Sequence, residues 1–99
     1  MALVDNIYGF STPSEPKKPL AYVFGANVLH CRLAQDINKK VFAIMMDVSR
    51  PTLDKLERGE MDAQLHVVQN AAAALDVEAA YLLTDHNFPA APPAKKRTS

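Results

Sequence analysis

The sequence predicts an all-α protein: five short helices forming one compact body between two arms. Apolar residues recur three and four apart from Leu20 to Leu83 with no strand-like alternation, which is helical periodicity. Capping and turn residues such as Asn38, Ser49 and Gly59 punctuate that pattern. Both ends change composition, with STPSEPKKP at residues 11–19 and HNFPAAPPAKKRTS at 86–99, where proline and polar residues disfavour regular structure. The chain therefore divides into an arm and spacer at 1–19, a helical domain at 20–84 and a basic tail at 85–99.

The first helix is expected over residues 20–35. Phe24, Val28 and Cys31 form its inner stripe, and Tyr22, Leu29 and Leu33 add apolar surface beside it. Asn38 can cap the second helix, which turns Phe42, Ala43 and Met46 inward. Asp47 then sits where the chain must reverse, and aspartate tolerates left-handed backbone angles better than most residues. Ser49 is a good cap for the third helix, Pro51 falls in its first turn, and Gly59 suits a left-handed terminator. Val48, Leu53 and Leu56 face inward, leaving Arg50, Pro51, Asp54 and Lys55 outside. The fourth helix, residues 64–75, points Leu65, Val68, Ala71, Ala72 and Leu75 at the core. A short fifth, 77–83, closes it with Tyr81 and Leu82 or Leu83.

Composition limits what such a body can do. Ninety-nine residues bury a modest core, so self-association would help it. Eleven basic and eleven acidic residues cancel, so attraction to phosphate must come from local arrangement. The single cysteine, Cys31, cannot form an intramolecular disulfide and reads as a buried thiol. His30, His66 and His86 share no metal-binding spacing with it. With no glycine-rich phosphate loop, nucleophile elbow or paired carboxylates, neither catalysis nor a cofactor nor a metal is expected. No apolar run approaches the ~20 residues that span a bilayer, and MALVDNIYGF lacks the basic start of a secretion signal, so the expected location is the cytoplasm. Five apolar side chains in residues 1–10, namely Leu3, Val4, Ile7, Tyr8 and Phe10, exceed what a free tail needs and suit docking on the chain's own domain, a symmetry mate or another protein. The tail reads as a solvated end, disordered when free, with a basic cluster at Lys95, Lys96 and Arg97.

Two short helices joined by a tight turn are how a chain builds a helix that fits a DNA groove. The run DINKKVFAIMMDVSRPTLDKLERGE, residues 36–60, resembles the Cro and phage-repressor (XRE) helix-turn-helix without a gap. Ala43 stands at the family's small position in helix 2, Val48 and Ser49 match the turn, and Leu53, Leu56, Glu57 and Gly59 match the end of helix 3. The resemblance extends over residues 24–84. Four positions depart from it: Lys39 replaces a glutamine, Asp47 the turn glycine, Ala71 a bulky residue and Glu78 a small cap. Pro51 also replaces a hydrogen-bonding side chain early in the recognition helix, limiting base reading there to apolar contact such as with a thymine methyl.

The resemblance implies a lambda-repressor-like fold and a transcription regulator, a repressor that binds double-stranded DNA as a homodimer on an inverted repeat. Arg50, Pro51, Asp54 and Lys55 would face base edges, while Lys39, Lys40, Thr52 and Arg58 would position the backbone. Arg32 and Glu57 would pair structurally, and Tyr81, Leu82 and Leu83 would form the dimer contact. The alternative is a protein-interaction module, an antitoxin or antirepressor, holding a partner through residues 1–10 or through Ile44 and Met45.

Overall fold

The computed structural model describes residues 18–92 and contains, among them, five helices and no strand: α1 (Leu20–Ala34), α2 (Lys39–Met46), α3 (Arg50–Glu57), α4 (Leu65–Leu75) and α5 (Ala79–Leu82). The expectations for residues 1–10 and for the basic cluster lie outside the described residues. Phe24, Val28, Phe42, Met46, Leu53, Leu56, Leu75 and Leu82 form the centre of one core, each almost wholly shielded from solvent. No described helix is long and apolar enough to cross a membrane.

Local chemistry accounts for the boundaries of the two central helices. The Asn38 side chain accepts the Val41 N–H at 2.8 Å and Ser49 Oγ accepts the Thr52 N–H at 3.1 Å, so each helix begins with an orphan donor satisfied. Asp47 takes φ +60° and ψ +45°, which ends α2 and lets α3 start three residues later. The same device recurs at Asp36 (φ +58°) and Asp76 (φ +57°), after α1 and α4. Gly59 takes φ +74° after α3.

Three side-chain amides tie helix ends to distant elements. Buried Asn27 of α1 donates through Nδ2 to the Leu82 and Thr84 carbonyls, each at 2.8 Å, closing the open end of α5. Gln35 Nε2 donates to the Leu75 carbonyl at 2.7 Å, and Asn70 Nδ2 to that of Met46 at 3.3 Å. Periodicity registers apolar side chains only, so it passed over all three.

The edges of the expected pattern need correction. Leu65, expected inward, is 83% exposed because it occupies the first position of α4, ahead of the turn that meets the core. Tyr81, expected to close the core, is 39% exposed, and Leu82 fills that place instead. The fifth helix is four residues long rather than seven; Glu78 precedes it without offering a side-chain cap. The first helix ends one residue early, at Ala34.

Gly25 sets the distance between α1 and α3. A Cβ there would lie 2.0 Å from the Leu56 carbonyl oxygen and 3.1 Å from its carbon, both backbone atoms that no rotamer change can move. Gly25→Ala is therefore expected to destabilise the protein by about 1–3 kcal/mol or more despite alanine's better helix propensity, read as a lower urea midpoint.

Candidate nucleic-acid interface

The outward face of α3 is the candidate site. Its opposite face is held by Leu53 and Leu56 in the core and by Glu57, whose side chain is fully buried. Arg32 of α1 meets that carboxylate with two bonds, Nε to Oε2 at 2.6 Å and Nη2 to Oε1 at 3.0 Å, while Nη1 donates to the Ile37 carbonyl at 2.9 Å. The guanidinium thus joins α1, the end of the α1–α2 loop and α3 at one point. Paired in this way, two buried charges satisfy each other, whereas one alone would bear the whole desolvation penalty.

With its inner face locked, α3 presents Arg50, Pro51 and Lys55 as exposed residues. Neither Arg50 nor Lys55 has an ion-pair partner among the described residues. Pro51 lies in the first turn of α3, where its missing N–H costs no helical bond. Thr52 is half-buried; the Ser49 hydroxyl donates to Thr52 Oγ1 at 2.9 Å, leaving the Thr52 hydroxyl proton available to an outside acceptor. Lys40 is exposed at the start of α2.

Other candidate residues are engaged within the protein. Asp54, expected at a base edge, pairs instead with Lys39, expected on a phosphate: Lys39 Nζ lies 2.8 Å from Asp54 Oδ1, linking the start of α2 to the middle of α3. The adjacent Lys39 ammonium holds the Asp54 carboxyl below the usual carboxylate range; partial burial opposes the shift, and Arg50 and Arg58 add to it. Arg58, expected on the backbone, has a side chain only 17% exposed and pairs with Glu60 at 3.1 Å. Of the expected dimer residues, Leu82 is wholly buried inside the monomer, which leaves Tyr81 and part of Leu83 accessible. Burial raises the Cys31 thiol, the state of an unreactive core cysteine.

This arrangement is a helix-turn-helix held by a buried ion pair, and the description "Helix-turn-helix" belongs to the family model that matches residues 30–82. The chain belongs to the XRE-type helix-turn-helix family of DNA-binding transcription regulators. Among solved structures it is similar to the restriction-modification controller protein C.AhdI from Aeromonas hydrophila, with 26% identity over 63% of this chain and 94% of that one, at a TM-score of 0.59. It is also similar to the clp gene regulator ClgR from Corynebacterium glutamicum, with 25% identity over 69% of this chain and 72% of that one, at 0.66. A hypothetical transcription factor from Neisseria, NHTF, shares the fold at 24% identity and a TM-score of 0.65, over 77% of this chain and 90% of that one. Among curated protein sequences none matches.

Two outcomes follow from these pairs. Arg32→Met strands the Glu57 carboxylate and should cost about 3–5 kcal/mol in urea unfolding, while Arg32→Met with Glu57→Leu should recover most of that loss. The depressed Asp54 carboxyl contributes stability that is present above its unfolded value near pH ~4 and is lost as the pH falls through the lower folded value. Asp54→Asn should thus be less stable than the natural protein at pH 7, the difference closing in acid; parallel thermal melts from pH 7 to pH 2 check it.

Proposed function

We propose that this protein is a sequence-specific transcription regulator, a repressor that binds an inverted-repeat operator as a homodimer with α3 of each subunit in the major groove. The observation that carries the reading is the outer face of α3: Arg50 and Lys55 stand exposed and unpaired beside Pro51, while the inner face is fixed by Leu53, Leu56 and the Arg32–Glu57 pair. A recognition helix must be rigid on one side and free on the other, since base contacts reward only a helix held at a set depth and angle.

Arg50 at the first residue of α3 suits the bidentate contact with guanine O6 and N7, and Pro51 offers apolar contact to a thymine methyl. Lys55 lies more than one helical turn further along and would read or neutralise a neighbouring position. Asp54 takes a supporting part: by holding Lys39 it fixes the start of α2 against α3, so its contact with a cytosine amine would require that pair to open. Lys40, Thr52 and the amides at the start of α2 would meet phosphates. Half-sites about one turn of DNA apart, ~34 Å, would be engaged together by a dimer formed through Tyr81 and Leu83. C.AhdI and ClgR, described as a controller protein and a gene regulator, are consistent with this role.

A second reading, a protein-binding module, is favoured by one feature: Val41, Ile44 and Met45 on α2 are 46%, 72% and 45% exposed and share one side of the helix.

Selection of bound duplexes from a random pool, followed by gel shifts, tests the first reading. The enriched sequence should contain two inverted half-sites, and Arg50→Ala or Lys55→Ala should each cost about 1–3 kcal/mol on it while relaxing preference at one position. Equal affinity for all duplexes would eliminate base reading.

A further inference from the structure

Residues 85–92, which composition assigns to a free tail, turn back after α5 and lie against α1 and α3 instead. The Phe88 ring stacks on His30 of α1 with centroids 3.6 Å apart and planes 12° from parallel, and His86 stacks on Tyr81 at 4.1 Å. Asn87 takes φ +63°, turning the chain. Lys18, just before α1, reaches both Asp85 Oδ1 at 3.4 Å and Asn87 Oδ1 at 3.3 Å. The Ala90 N–H donates to the Tyr22 hydroxyl at 3.3 Å, and the Ala91 N–H to the Glu57 carbonyl at 2.9 Å.

The last of these bonds falls where α3 needs it. The final turn of α3 holds four carbonyls, at Asp54, Lys55, Leu56 and Glu57, that the helix itself does not satisfy. The chain that follows supplies three donors: Arg58 N–H to Asp54 at 3.1 Å, Gly59 N–H to Leu56 at 3.0 Å and Glu60 N–H to Lys55 at 2.9 Å. Among the described residues only the Ala91 N–H serves the Glu57 carbonyl. Tyr22, whose hydroxyl holds the neighbouring Ala90, packs on the same helix end: a Cβ at Gly59 would lie 2.9 Å from Tyr22 Cα. The two ends of α3 are therefore fixed by different means, the first by the Ser49 cap and the second with help from beyond α5. In a helix of eight residues the last turn is about half the length, and that half carries Lys55.

We infer that residues 85–92 are a strap that positions the recognition helix: by closing the C-terminal turn of α3 it holds Lys55 where that side chain meets DNA, with Phe88 and Ala91 as positioning residues. The inference rests on the DNA-binding reading above and deepens it. Helix ends fray first, and a side chain on an opened turn is out of register with its base edge or phosphate. Arg50 escapes this dependence because it lies beside the Ser49 cap at the other end. The strap's effect is accordingly unequal, large for Lys55 and small for Arg50.

Ala91→Pro removes the donor to Glu57, and Ala91→Gly keeps it as the control. Amide hydrogen exchange in the free protein gives the first readout. The Arg58, Gly59 and Glu60 amides should exchange roughly 2- to 12-fold faster in the proline variant than in the control, with the Leu53 amide of the first turn unchanged. Equal rates overturn the closure of α3 by the strap. Affinity for the selected operator is the second readout, taken where thermal melts show both proteins folded. Lys55→Ala should cost roughly 2- to 10-fold less affinity in the proline background than in the glycine background, while the cost of Arg50→Ala is the same in both. An undiminished cost of Lys55→Ala, or an equal reduction for both substitutions, overturns the positioning role. A natural protein that shows no preference for any duplex overturns the DNA-binding reading itself, and the exchange rates still decide the closure of α3. Should Ala91→Pro fail to fold, Phe88→Ala replaces it under the same criteria, with Phe88→Tyr as the control that retains the ring.

Discussion

The contact between α1 and α3 is the constraint on which the remaining structure depends. Gly25 lets the two backbones approach until the Leu56 carbonyl occupies the space of a missing side chain, and two turns further along α1 Arg32 pins the buried Glu57 carboxylate. Close approach and the ion pair serve different ends. The glycine sets the separation, which packing forces alone leave adjustable, while the bidentate bond sets orientation because a guanidinium fork accepts a carboxylate only in plane. An eight-residue helix, about 12 Å long, has too little apolar surface to fix its own roll and tilt, so these two contacts do it.

Once α3 is held, the charge pattern decides what the outer face can offer. Lys39 and Asp54 join α2 to α3 across the turn, and Arg58 ion-pairs with Glu60, so much of the local charge stiffens the motif instead of remaining for a ligand. What stays free is narrow: Arg50, Lys55 and Lys40, with the Thr52 hydroxyl beside them. Under the proposed function, a face with so few free cations would gain little from sequence-independent attraction to DNA, and its binding would rest on complementary base contacts more than on bulk charge.

The segment after α5 adds structure without adding helix. Its Ala91 N–H donates to the Glu57 carbonyl left open at the end of α3, its Ala90 N–H donates to the Tyr22 hydroxyl, and its rings pack on His30 and Tyr81 instead of entering the core. The residues assigned from composition to a free tail therefore bear on the helix central to the proposed function. Composition could not reveal this: the prolines disfavour regular structure but do not prevent the intervening backbone N–H groups from bonding to a distant helix end.

The sequence by itself determined five helices, their order, the caps at Asn38 and Ser49, the left-handed turn at Asp47 and the outward position of Arg50 and Lys55. These follow from residue periodicity and from backbone preferences that act over a few neighbours. Only the tertiary structure decided that Leu65 faces solvent, that Asp54 belongs to Lys39, that Asn27 closes α5, that Gly25 admits the Leu56 carbonyl and that residues 85–92 fasten to α3. Each joins positions far apart in the chain or depends on where a helix end meets its neighbours. Local spacing carries no record of such meetings, because the same helices could be packed at other depths and angles without changing a single periodic position.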